Sequence, residues 1–118
     1  MITLSKCALV ASDGDLEAIK AALSLPVLAL DEGKTGSTVG EILRGQFKAG
    51  DKIPENLIIF HGISSKELDA ALISLRSAAI SSLKAVSTPT NMGWTVAALY
   101  KELCRERNSF KTKEAKKQ

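Results

Sequence analysis

Four short apolar runs alternate with four helix-patterned stretches, and that alternation limits what this chain can fold into more than any other feature. The runs are Cys7 to Ala11, Val27 to Leu30, Leu57 to Phe60 and Leu83 to Val86. Unbroken apolar runs of this length suit strands covered on both faces. After the first run, Leu16, Ile19 and Leu23 recur at helical spacing, and Pro26 closes that helix because it disfavours a helical Leu25. Thr38 and Glu41 have capping-box spacing before Val39, Ile42 and Leu43, and Gly45 stops this second helix after about two turns. Ser64-x-x-Glu67 opens the third helix, with Leu68, Ala71, Leu72 and Leu75 on one side. Val96, Leu99, Tyr100 and Leu103 mark the fourth. The order β-α-β-α-β-α-β-α predicts a single α/β domain, a four-stranded, mostly parallel sheet with helices packed on it, because parallel neighbours need crossover connections.

The chain of 118 residues is long enough to bury a core without disulfides or metal. The domain is expected to span residues 1–104, with halves at about 5–47 and 55–104 joined by a polar connector, Lys48 to Glu55. Residues 105–118 read as a helix end that frays into a basic tail. That tail holds six basic residues against Glu106 and Glu114, whereas the body carries ten basic and eleven acidic residues. The net charge of +3 therefore belongs to the tail. A basic tail can attract nucleic acid or an acidic membrane face, or simply be a solvated terminus. Scarce aromatics and a slightly acidic body argue against nucleic acid as a partner. No apolar run approaches the roughly 20 residues of a membrane helix. Met1 to Lys6 lacks the basic region and cleavage site of a signal peptide. Cys7 and Cys104 are thus expected as free thiols of a cytoplasmic protein, with no cofactor or metal.

The two halves can be laid over one another. Asp15 to Leu23 pairs with Glu67 to Leu75 at an offset of 52, and Val27 to Val39 pairs with Lys84 to Val96 at an offset of 57. The second register superposes Gly36 on Gly93 and Thr38-Val39 on Thr95-Val96. The difference of five falls between helix and strand, where insertions are cheap. An internal duplication of a β-α-β-α unit is expected, with the loop from Asp31 to Ser37 as counterpart of the loop from Thr88 to Trp94.

Strand, loop and helix signals are sharpest from Ser82 to Leu103, where a hydroxyl-rich turn, Ser87-Thr88-Pro89-Thr90-Asn91, leads into a helix. In a parallel α/β sheet, ligands sit at the carboxyl ends of strands. Thr88, Thr90 and Asn91 offer short polar groups beside a helix start, Gly93 permits close approach, and together they form a candidate seat for a small anion or a partner. The same residues also suit pure structure: Thr90 or Asn91 as a cap, Pro89 fixing the turn, Trp94 stapling it to the core. Trp94 falls off the apolar face of its helix, so it either packs over the loop, the favoured reading, or is exposed for a partner. His61, the only histidine, ends the strongest strand, and a carboxylate from Asp13 or Asp31 would have to orient it for it to act as a base. Asp13 and Asp15 follow a strand as in phosphoryl-transfer enzymes, but they equally suit a helix N-terminus.

The stretch Lys84-Ala85-Val86-Ser87-Thr88-Pro89-Thr90-Asn91-Met92-Gly93-Trp94-Thr95, followed by Leu99-Tyr100-Lys101-Glu102-Leu103, resembles the prokaryotic family called domain of unknown function 3783. The resemblance runs from Pro54 to about Arg107. The first half departs from it, with Leu30-Asp31-Glu32-Gly33 where the Ser-Thr-Pro-Thr stretch would stand and no tryptophan after it. The resemblance implies a domain and no activity. The leading expectation is a non-catalytic binding module, with a homodimer among its arrangements, using Thr88, Thr90, Asn91, Gly93, Trp94 and His61 at the loop edge. The alternative is a small enzyme or phosphate-handling domain using His61 with Asp13 and Asp31.

Overall fold

A computed structural model describes residues 6–12 and 14–116, and side chains as far as Arg107. The expected alternation is present: β1 (Cys7–Ala11), α1 (Leu16–Ala22), β2 (Val27–Ala29), α2 (Val39–Leu43), β3 (Leu57–His61), α3 (Ser65–Ser77), β4 (Leu83–Val86) and α4 (Val96–Lys116), with a 3-10 turn at Asn91–Gly93 before α4. Both capping boxes form. Thr38 Oγ1 accepts from the Glu41 N–H at 3.1 Å, and Ser64 Oγ accepts from the Glu67 N–H at 3.2 Å. In each box the glutamate carboxylate accepts the cap residue's own N–H in return. A cap of this kind is worth about 1 kcal/mol.

The strands form one sheet in the order β2-β1-β3-β4. The outer pairs are parallel, but β1 and β3 run antiparallel at the centre, with Leu9 opposite Ile59. The sheet is therefore mixed, two parallel pairings to one antiparallel. Both central strands are buried on both faces, which is why their runs are unbroken. β4, at an edge, alternates between half-buried and exposed.

Residue parity sorts the core into two layers, since successive strand side chains point to opposite faces. Ala8, Val10, Ile58 and Phe60 pack with Ile19 and Leu23 near α1 and with Ala71 and Leu75 of α3. Cys7, Leu9, Ala11, Leu57 and Ile59 pack on the other face with Val39, Ile42 and Leu43 of α2 and with Val96 and Leu99 of α4. Burial pushes the Cys7 thiol up from its ordinary pKa. Both cysteines are free.

The order reads the same from either edge. Leu9 pairs with Leu28 as Ile59 pairs with Ala85, so the 57-residue offset of the sequence comparison is also the register of the edge strands. Above the centre, Thr38 and Thr95 meet in an antiparallel bridge. The Val39 N–H donates to the Trp94 carbonyl at 3.0 Å, and the Val96 N–H donates to the Ser37 carbonyl at 3.0 Å. These two bonds exchange under the same offset. They tie the starts of α2 and α4 together over the middle of the sheet.

Candidate binding site

The central antiparallel pairing decides which loops share an edge. Cys7 lies opposite His61 and Ala11 opposite Leu57, so β1 and β2 end where β3 and β4 begin. The expectation that all four strand-to-helix loops gather at one edge is corrected by this. His61 and Asp31 stand at opposite ends of the sheet, and the carboxylate required to orient His61 is not supplied by Asp31. Asp13, the other carboxylate in that reading, lies outside the described residues. His61 meets a hydroxyl instead, with Nδ1 2.7 Å from Ser87 Oγ at the end of β4.

The loop after β4 is closed by its own side chains. The Thr88 N–H donates to Asn91 Oδ1 at 2.8 Å, the Asn91 N–H donates to Thr88 Oγ1 at 3.0 Å, and Asn91 Nδ2 donates to the Val86 carbonyl at 3.0 Å. Thr88 and Asn91 thus form a reciprocal turn. The cap of α4 is neither Thr90 nor Asn91. Thr95 fills that place, its Oγ1 accepting the Ala98 N–H at 3.1 Å, as Thr38 does for α2. Pro89, Thr90 and Gly93 are exposed, and a Cβ added at Gly93 would meet nothing within 4 Å. The seat is open.

Trp94 turns its carbonyl inward to α2, and the residue is left 37% exposed, with the larger part of its surface covered. With Ala98, Lys101, Glu102 and Arg105 it lines a groove of about 280 Å³ along the outer side of α4. Arg105 Nη1 is held 3.2 Å from Glu102 Oε2, while Lys101 is exposed. The groove thus sets an indole beside Lys101 and the Glu102–Arg105 ion pair, an apolar wall next to mixed charge.

The equivalent loop after β2 is built alike but covered. Asp31 does the work of Thr88, its Oδ1 accepting the Gly33 N–H at 2.9 Å. Residues 48–51 then lie across the loop. The Gly36 N–H donates to the Lys48 carbonyl at 3.0 Å, the Gly50 N–H to the Glu32 carbonyl at 2.8 Å, and Thr35 Oγ1 to the Asp51 carbonyl at 2.7 Å. The Lys48 N–H donates to Ser37 Oγ, and Lys48 Nζ sits 3.3 Å from Glu41 Oε2. Thr35 and Ser37 are completely buried. A Cβ at Gly36 would stand 2.1 Å from the Ala49 carbonyl oxygen, so only glycine allows the two backbones to meet. What reads as a polar connector is thus a fitted part of the fold.

A second cluster escaped the sequence reading. Glu55 accepts from Tyr100 Oη at 2.9 Å and from Arg107 Nη1 at 2.7 Å, which pins α4 to the segment entering β3. Burial, then Cys104 and the Glu55 carboxylate, pushes the Tyr100 hydroxyl up from its ordinary pKa. Beside the cluster is a cleft of about 440 Å³ lined by Asn56, Ser81, Ser82 and Arg107. The partners lie 45 and 52 residues apart, and no local pattern marks so distant a pairing.

Residues 56–110 match the family model described as Domain of unknown function (DUF3783). The match begins one residue before β3 and ends within α4, so it covers the second β-α-β-α unit with the open loop, the groove and Arg107. It leaves out the covered loop of the first unit. No curated protein and no solved structure matches the chain. Among the described residues no helix is long and apolar enough to cross a membrane, and no group of three or more His, Cys, Asp or Glu side chains could hold a metal ion.

Proposed function

We propose that this chain is a non-catalytic binding module of the cytoplasm, a diverged internal repeat whose second copy holds a small anionic ligand or a protein partner at the edge around residues 88–94. The observation that carries the reading is Trp94. A tryptophan over one-third exposed, at the mouth of a groove on a helix fixed to the sheet, is a contact residue in waiting. Thr90 and the open side of Gly93 continue the same surface. Thr88 and Asn91 shape the loop and leave recognition to their neighbours. The enzyme alternative draws on the His61–Ser87 contact but has no carboxylate from Asp31 to orient the ring.

Trp94 is the sole tryptophan, so its emission reports the site directly. Titration with nucleotides, inorganic phosphate, small acids and short peptides should give a saturable change with at least one class. Thr90→Val, on an exposed position, should weaken that change without altering the circular dichroism. Emission that stays constant across every class would contradict the reading.

A further inference from the structure

Helices α1 and α3 cover one face of the sheet, opposite the layer of α2 and α4, so the surface they show to solvent is separate from the groove beside Trp94. Ile73, at mid-length in α3, turns away from the buried Ala71 and Leu75 and is 59% exposed, more than any other large apolar residue among those described. Beside it a hollow of about 620 Å³ runs between the two helices, lined by Ala18, Ala21, Ala22, Ser74, Ser77 and Ala78. One surface thus carries a branched apolar knob and, next to it, a recess walled by small side chains.

The charges beside the knob have a fixed arrangement. At about 100° per residue, Asp69 and Arg76 fall ~40° and ~60° to one side of Ile73, while Ser74 and Ser77 fall to the other, towards α1. Along the helix axis Asp69 stands about 6 Å before Ile73 and Arg76 about 4.5 Å after it. Both are exposed, and among the described residues neither has an ion pair in its own chain. A two-fold axis beside Ile73 that sets α3 antiparallel to a second α3 keeps each charge on its side and inverts its height. Asp69 then faces Arg76 of the second copy, and Arg76 faces its Asp69, with heights differing by about 1.5 Å.

We propose that the chain forms a homodimer through α3, each Ile73 seated against the hollow of the other copy and flanked by two reciprocal Asp69–Arg76 ion pairs. A two-fold contact requires a surface that complements itself, and this one does so in shape and in charge. With one unpaired charge of each sign beside Ile73, it offers no net attraction to a strongly acidic or strongly basic partner. The contact leaves Trp94 and the loop after β4 uncovered, so the dimer holds or fails independently of ligand binding there.

Sedimentation of the full chain over about a hundredfold range of concentration tests this. A monomer–dimer equilibrium is expected, weakened about tenfold or more by Ile73→Glu. Asp69→Arg alone and Arg76→Asp alone should each weaken it, because like charges then face one another. The double variant, with the two charges exchanged, should recover the parent's dimer. All three positions are exposed, so circular dichroism and melting curves should be unchanged. A parent that stays monomeric throughout, or a dimer indifferent to Ile73→Glu, would overturn the proposal. So would a double variant that associates no better than the single ones, since the charges would then not meet across the two-fold axis.

Discussion

Glu67 shows how much one side chain can join. Its Oε2 is 2.8 Å from Lys6 Nζ, just ahead of β1, and its Oε1 accepts the Ser64 N–H that closes the cap of α3. The Lys6 ammonium, and after it the Ser64 N–H, hold the carboxyl down to about 2. Because the folded pKa lies below the unfolded one, the contribution to stability is full above the ordinary carboxylate range and is lost as pH falls toward 2. Glu67→Gln should therefore flatten the acid limb of the stability curve between about pH 4.5 and 2, measured by urea unfolding at several pH values. An acid limb as steep as the parent's would contradict that role. The box itself was legible, because its four-residue spacing encodes a local contact. Trp94 was not: its distance from the apolar face says only that it leaves the core, and what lies beside it depends on how the chain runs after α4 begins.

At the scale of elements, every strand and α-helix was readable from the apolar runs and helical spacing, and the antiparallel sense of the central pairing was not. An unbroken apolar run reports burial on both faces, but parallel and antiparallel neighbours bury it equally. The connector from Arg44 to Asn56 is what lets β3 enter beside β1 in the opposite sense, and its polar sequence gave no hint that it is seated on Thr35, Gly36 and Ser37. The reversal separated His61 from Asp31. It also brought Leu9 and Ile59 to the centre of the antiparallel seam. If the chain arose by duplication, the seam replaced a contact between two copies of one unit. Residues 53–118 made alone should then associate as a dimer, β3 against β3 about Ile59, when followed by sedimentation. A folded monomer would count against that origin.

At the scale of the whole molecule, the loops after β2 and β4 are covered unequally. In the first, the return of the chain at Gly45 closes the loop after β2 and buries two hydroxyl side chains. In the second, α4 continues to Lys116, anchored through Tyr100 and Arg107 to Glu55, and the matching loop stays open. The superposition of Gly36 on Gly93 was visible in the sequence, but their difference is a matter of what covers each, and only the fold shows that. Thermal unfolding of Gly36→Ala and Gly93→Ala side by side tests the inequality most directly. At Gly36 the added Cβ must displace the Ala49 carbonyl, at a cost of about 2–3 kcal/mol and a marked fall in melting temperature. At Gly93 the methyl group enters open space, and the melting temperature should hold or rise slightly. Equal losses at the two positions would mean that the second loop is covered like the first, and that no open seat exists for a partner.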